Sequence, residues 1–476
     1  MRYLSLLALL IVAACTQNSF PSIDRPSTQA PNSQVDRDII AYIDQRLDEE
    51  YYWLDEVAEK RHLFNREHDK WSSYLTNSLS KLQTNIDDGS VKSNGQRSFY
   101  SYISEVGSST RAATTGFGIL LHYTILLGNV ENSYYYFVVD HVYPDSPAAQ
   151  AGIVRGDIIT MINGGYITRN NYSELFTSIQ KGSRSTLKLT LQRQTNKESF
   201  SVELAKASYD ASPVAHSELI VVDDKRIGYL VYTGFDGDYD EDLLAELSTF
   251  AAEGAEDVIL DLRINGGGSV TSAQKLCSAL MPQSLEGMTL CKLVRNPNNQ
   301  RSKQTSEFNL EGTGTILNLD RLTVICSNYS ASASERVVMG LRGLDVPDML
   351  FGSKTEGKNC GMDVTRKNIA GKRLEFAPIT FMCFNAKGVG DWGEGITPDI
   401  DLRAADNGIG VHDANYPIPR TKWGDMDYDI ALVAAISHIT GKHITQSATR
   451  SEEQFESFES MGLDYPISGI RLLSEE

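Results

Sequence analysis

The chain has 476 residues, of which 41% are hydrophobic and 22% charged, and a formal net charge of -18. That length exceeds one hydrophobic core and that balance belongs to soluble globular domains, so two or three folded units are expected and a wholly disordered or membrane-embedded chain is excluded. The negative charge repels phosphate backbones, which sets nucleic-acid partners aside.

The first residues, MRYLSLLALLIVAACTQ, place one cation, Arg2, before an apolar run from Leu4 to Ala14, shorter than the roughly 20 residues that a spanning helix needs. Residues 1–14 therefore read as a targeting segment. Val12-Ala13-Ala14-Cys15 resembles the lipobox of bacterial lipoproteins. That resemblance implies a signal peptide ending before Cys15, lipidation of Cys15, and a cell-envelope home on the periplasmic or surface side of the outer membrane, because Thr16 is not the aspartate that can signal inner-membrane retention. Residues 15–35 are polar and rich in Pro, Ser and Asn, and read as a disordered tether. Cys277, Cys291, Cys326, Cys360 and Cys383 remain, without CxxC spacing. Neither a zinc site nor a full disulfide framework is suggested, and one bridge between Cys277 and Cys291 stays open.

From Asp36 to Val106 the pattern is helical, with Ile39, Ile40, Ile43, Leu47, Tyr51 and Leu54 near one face. Residues 36–106 are expected to form a small helical domain, and the sequence leaves open whether it makes a homo-oligomer. At Gly116 the periodicity becomes strand-like. Gly116-Phe117-Gly118-Ile119, Ser146-Pro147-Ala148-Ala149 with Ala151-Gly152, Gly156-Asp157-Ile158-Ile159 and Ile162-Asn163-Gly164 follow. Residues 107–205 thereby resemble a PDZ domain. The likeness implies that the loop Gly116, Phe117, Gly118, Ile119 offers backbone amides to a terminal carboxylate while a sheet edge accepts the rest of a peptide as an added strand.

In residues 206–476 strand and helix patterns alternate: strand 226–235, helix 240–254, strand 257–263, helix SAQKLCSALM, strand RLTVICS, then a helix after Ser332. The overall fold class is thus α/β within a multidomain α+β chain, with a mostly parallel sheet expected in this last unit. Function then gathers where strands end and helices begin. SNYSASASERVV sets Ser332 between two alanines at a helix start, where backbone amides favour developing negative charge. The same residues also satisfy a helix cap, because Ser332 and Glu335 fit the S-x-x-E capping box.

A serine nucleophile needs a base. The eight histidines fall in no recognisable hydrolase motif, whereas Lys358 lies in a glycine-flanked turn beyond one helix and one short strand. Here the chain resembles the C-terminal processing peptidases, or tail-specific proteases. The motifs are Ile227-Gly228-Tyr229, Asp261-Leu262-Arg263 with Asn265 and Gly266-Gly267-Gly268, Ser330-Ala331-Ser332-Ala333-Ser334-Glu335, Thr355-Glu356-Gly357-Lys358 and Gly395-Ile396-Thr397-Pro398-Asp399. The resemblance implies a crotonase/ClpP-like core, Ser332 as nucleophile, Lys358 as general base, and the amides of Gly267 and Ala333 as an oxyanion hole. Polypeptide C-termini or unfolded tails are the implied substrates, and Ser, Lys and amides need no cofactor. Such a lysine must fall from about 10.4 to near 7, which burial can supply.

The sequence departs from the family in having Gly266 where proline is usual and Met362 where many members carry a glutamine or glutamate that orients the lysine. Two other readings stand beside the peptidase: a non-catalytic peptide-binding lipoprotein that keeps the fold, and an esterase acting through Ser269 or Ser334. The acidic, amphipathic C-terminus reads as a packed or frayed edge.

Overall fold

The computed structural model describes residues 32–91, 97–106, 114–129, 134–180, 184–311, 314–442, 455–457 and 471–475. The leader, Cys15 and most of the expected tether lie outside the described residues. The end of that expected tether is already folded: Asn32 is buried and the Ser33 hydroxyl caps the helix Gln34–Glu50 by accepting from the Asp36 amide.

The helices Gln34–Glu50, Leu54–Lys60 and Trp71–Leu79 follow from the apolar spacing, but the helical reading fails after Leu79. The chain turns at Gly89, whose φ of +127° a side chain would not tolerate, and reaches the short strand Tyr102–Glu105. That strand pairs antiparallel with Lys372–Ala377. Ile39, Ile43, Leu47, Tyr51 and Tyr74 pack with Cys360, Met362, Val364, Phe376 and Ile379 in one cluster. The helices therefore cover a sheet made by the C-terminal unit. These three helices expose too much of their apolar faces to be stable apart from it.

The expected alternation yields a six-stranded sheet in the order Val214–Val222, Lys225–Tyr232, Asp257–Asp261, Leu322–Cys326, Asp348–Gly352, Ile400–Asp401. Its first pairing is antiparallel and the next four are parallel. Residues alternate across it: Leu230, Val258, Leu260 and Val324 meet the helices Asp240–Ala252, Val270–Leu280 and Ala333–Gly343. Tyr229, Val231, Ile259 and Ile325 face the helix Ile430–Thr440.

A second sheet, absent from the sequence reading, runs Thr305–Asn309, Thr289–Arg295, Ile379–Asn385, Cys360–Ile369, Lys372–Ala377, Tyr102–Glu105 with antiparallel neighbours. Arg471–Glu475 joins Cys360–Ile369 in parallel. The core is thus a mixed α+β structure with two sheets. All five cysteines in the described residues are free thiols in buried positions, so the Cys277–Cys291 bridge is not formed.

A third sheet is ordered Ser199–Ala205, Thr186–Gln192, Ile158–Ile162, Gly165–Thr168, Tyr134–Val142, Ile119–Asn129, Phe455–Ser457. The helix Tyr172–Gln180 closes its core. Among the described residues no helix is long and apolar enough to cross a membrane.

Candidate active site

The strand Leu322–Cys326 is buried along its whole length and ends at a loop stitched to its neighbour strand. Ser327 Oγ donates to the Arg263 carbonyl at 2.5 Å, Ser330 Oγ to the Leu262 carbonyl at 2.8 Å and Ser334 Oγ to the Asn265 carbonyl at 2.8 Å. Two of the three alternate serines are therefore structural ties, and the middle one, Ser332, differs in its backbone. It enters the helix Ala333–Gly343 with φ +65° and ψ -110°, a left-handed conformation that costs a residue with a Cβ about 1–3 kcal/mol. Ser332 is 1% exposed. The following Ala333 amide is one of the first-turn donors that no helical carbonyl reaches.

Against this turn lies Asn265-Gly266-Gly267-Gly268. A Cβ on Gly267, whose φ is +105°, would sit 2.7 Å from Ser332 Cβ and 3.0 Å from the Ala333 nitrogen, so only glycine permits this approach. The two expected oxyanion donors are thus neighbours. The Gly267 N–H, however, donates to Asn265 Oδ1 at 2.9 Å, while Asn265 Nδ2 donates to the Tyr232 carbonyl at 2.8 Å. The amide expected to face a substrate is held within its own turn.

Lys358 occupies the turn between Asp348–Gly352 and Cys360–Ile369 and is 1% exposed. Its turn is clamped against residues 392–396: a Cβ on Gly357 would meet the Gly393 carbonyl at 2.4 Å, and one on Gly395 the Thr355 carbonyl at 2.3 Å. Glu335 joins the two turns. Oε2 accepts from the amides of Ser332 at 2.7 Å and Lys358 at 2.8 Å, and Oε1 from Thr355 Oγ1 at 2.6 Å and the Gly357 amide at 2.8 Å. Burial raises the Glu335 carboxyl above its ordinary value, and these four bonds pull against that rise. The capping-box spacing identified this glutamate, but its reach to the lysine turn was not legible.

Met362 is fully buried in the apolar cluster beneath the N-terminal helices. One neighbour of the amine comes from far away in sequence: Lys358 Nζ stands 4.1 Å from the ring centroid of Tyr100, whose hydroxyl donates to Glu356 Oε1 at 3.0 Å. Asp88, fully buried, accepts from Tyr51 and from the amide and hydroxyl of Ser101, and its carboxyl feels the Lys358 charge. No sequence signal marked Tyr100 or Asp88. Of the other serines weighed, Ser269 caps the helix Val270–Leu280 and Ser334 is tied to Asn265. Among the described residues no cluster of three metal-ligating side chains could hold an ion.

In the loop 116–119, Phe117 and Ile119 have side chains buried in the domain core. Gly118, at φ +77°, packs so closely on Ser146 that a Cβ would lie 2.1 Å from its Cβ. Its amide bonds to the Tyr209 phenol, which belongs to the strand Ala207–Tyr209 paired with Thr114–Gly116. This unit meets the core through Arg155, whose guanidinium lies 3.5 Å from the Trp423 ring centroid and donates to the Thr421 carbonyl at 2.6 Å. Arg263, four residues before Gly267 and bound to Asp261 and Asp429, approaches the same indole at 5.4 Å. Burial pushes Asp140 up to about 7 despite Arg155 and Arg263, and burial with Arg155 pushes His141 down to about 4.

Residues 226–402 match the profile of peptidase family S41, and residues 138–193 that of the PDZ domain. A CtpA-like serine protease of Staphylococcus aureus strain N315 is 24% identical over 316 residues, covering 66% of this chain and 59% of the relative. One from Staphylococcus haemolyticus is 23% identical over 258 residues, 54% of this chain and 48% of the relative. The match to the first of these spans about three fifths of that relative's length. A crystal structure of an S41 protease from Bacteroides fragilis shares the fold, with a TM-score of 0.63 and 23% identity, over 84% of this chain and 97% of that one.

Proposed function

We propose that this chain, whose residues 226–402 match peptidase family S41 and whose residues 138–193 match the PDZ domain, is a lipid-anchored serine endopeptidase of the C-terminal processing type acting through Ser332 and Lys358. The observation that carries the reading is the Glu335 carboxylate, which fixes the strained Ser332 turn and the buried Lys358 turn to one another. Ser332 Oγ attacks the scissile carbonyl carbon while its proton passes to Lys358 Nζ and the carbonyl electron pair moves onto oxygen. The Ala333 amide, joined by the Gly267 amide once that leaves Asn265, receives the oxyanion; each such donor is worth about 3 kcal/mol of barrier. Collapse expels the amine, which takes the proton from Lys358 and leaves an acyl-Ser332. Water then attacks that ester, giving its proton to Lys358, which returns it to Ser332 as the acid departs.

The substrates are polypeptides offering C-terminal or unfolded tails, captured or gated by the PDZ unit, and Cys15 holds the protein to the cell envelope. The engaged Gly267 amide favours one second reading, a peptide-binding lipoprotein without turnover. Incubation with an unfolded test polypeptide separates the two. The wild type is expected to cut and to yield an acyl adduct on Ser332 by mass spectrometry, whereas Ser332→Ala does neither. Cleavage by neither protein favours the binding reading, and equal cleavage by both removes Ser332 from the chemistry.

A further inference from the structure

Met362, four residues after Lys358, is committed to the apolar core. The N-terminal segment sets an aromatic face against the amine. We propose that Tyr100 is a positioning residue for the general base, its ring face holding the Lys358 amine and stabilising the ammonium that forms as Ser332 loses its proton. The inference rests on the Ser332–Lys358 reading.

The geometry is specific. Nζ sits 4.1 Å from the ring centroid, within the distance at which a π face attracts a cation. The ring is itself fixed at both ends: the phenol donates to Glu356 Oε1 at 3.0 Å, two residues before the lysine, and the neighbouring Ser101 is held by Asp88 through its amide and hydroxyl. Ser101 Oγ also accepts from the Ile379 amide at 2.9 Å, which ties this segment to the core sheet. Tyr100 is buried, so water competes little for the amine on that side.

Burial alone favours the neutral amine, the form that can accept a proton, but it offers nothing to the charged product of that transfer. A π face does the converse. It interacts weakly with the amine and strongly with the ammonium, so its contribution grows along the proton transfer and accelerates it. The other titratable groups around Lys358 are Asp88 from the N-terminal segment, Glu335 from the helix Ala333–Gly343, Glu356 from the lysine turn, and Cys360 and Cys383 from the sheet. None of them supplies a planar face to Nζ, and substitution of the ring leaves all of them in place.

The experiment measures turnover against pH for the full chain with Tyr100 replaced by Phe, by Leu, and by phenylalanines bearing one to three ring fluorines. Because the ring favours the ammonium, its loss makes the amine easier to deprotonate and moves the rising limb of the profile to lower pH. Tyr100→Phe is expected to keep the limb within a few tenths of a pH unit. Tyr100→Leu is expected to shift it down by about one unit and to lower maximal turnover about tenfold. The fluorinated rings keep the size of phenylalanine while weakening its face, so they should fall in order between these, whatever the folding of the leucine variant. A leucine variant that is slower with an unmoved limb, or a fluorine series without a trend, overturns the inference while Ser332→Ala and Lys358→Ala remain inactive. Full activity in either of those two variants removes the dyad reading and this inference with it.

Discussion

Ser332 and Lys358 are equally buried, yet their supports come from different parts of the chain. Ser332 is held by its own motif and the strand end beside it: Ser330, Ser334 and Glu335 within three residues, and Leu262, Asn265 and Gly267 across the sheet. The Lys358 turn is held by Glu335 and by the loop 392–396, while the ring of Tyr100 and the charge of Asp88 approach its amine from the N-terminal segment. The Ser332 turn can be specified by a short string because its strain and its ties are local. A buried amine needs walls, and walls come from wherever the fold has side chains to spare.

The largest effects should fall on the pair itself, with Ser332→Ala and Lys358→Ala each lowering turnover about 10⁴-fold or more in a peptide-release assay. Glu335→Gln strikes the link between the two halves, because an amide nitrogen would face two N–H donors where a carboxylate oxygen stood. Turnover should drop about a hundredfold and the melting temperature by several degrees; an effect no larger than that of Ser330→Ala would break the claim that this residue couples the turns. Met362→Gln places an amide four residues after Lys358, at a fully buried apolar position. It should cost about 2 kcal/mol in urea unfolding without raising turnover, and a gain in turnover would show that the base is supported locally after all. The smallest effects belong to the stitches, with Ser330→Ala and Ser334→Ala each costing about 1 kcal/mol of stability and changing turnover by only a few-fold.

The same contrast explains what the sequence could and could not disclose. The strands and helices of the parallel sheet from Lys225 to Leu280 and from Leu322 to Gly343 were legible because apolar residues recur with the period of each element, and the serine motif was legible because its neighbours in space are its neighbours in sequence. The antiparallel sheet was not: Thr289–Arg295 and Ile379–Asn385 pair across about 90 residues, and nothing local sets that partner. The helical pattern does not carry through to Val106 because Tyr102–Glu105 is a strand by virtue of its pairing with Lys372–Ala377. Tyr100 and Asp88 became visible as parts of the site only when that pairing laid the N-terminal segment over the lysine turn.

The strand Ile119–Asn129 follows the PDZ loop, and along 124–126 its outer edge is already paired with Phe455–Ser457 from the chain's own tail. An incoming polypeptide that lays itself along that stretch must therefore exchange with an incumbent rather than add to a vacant rim. Because the rival is covalently attached, its local concentration stays fixed however dilute the protein, so the threshold for admitting a guest is an intrinsic property of each molecule.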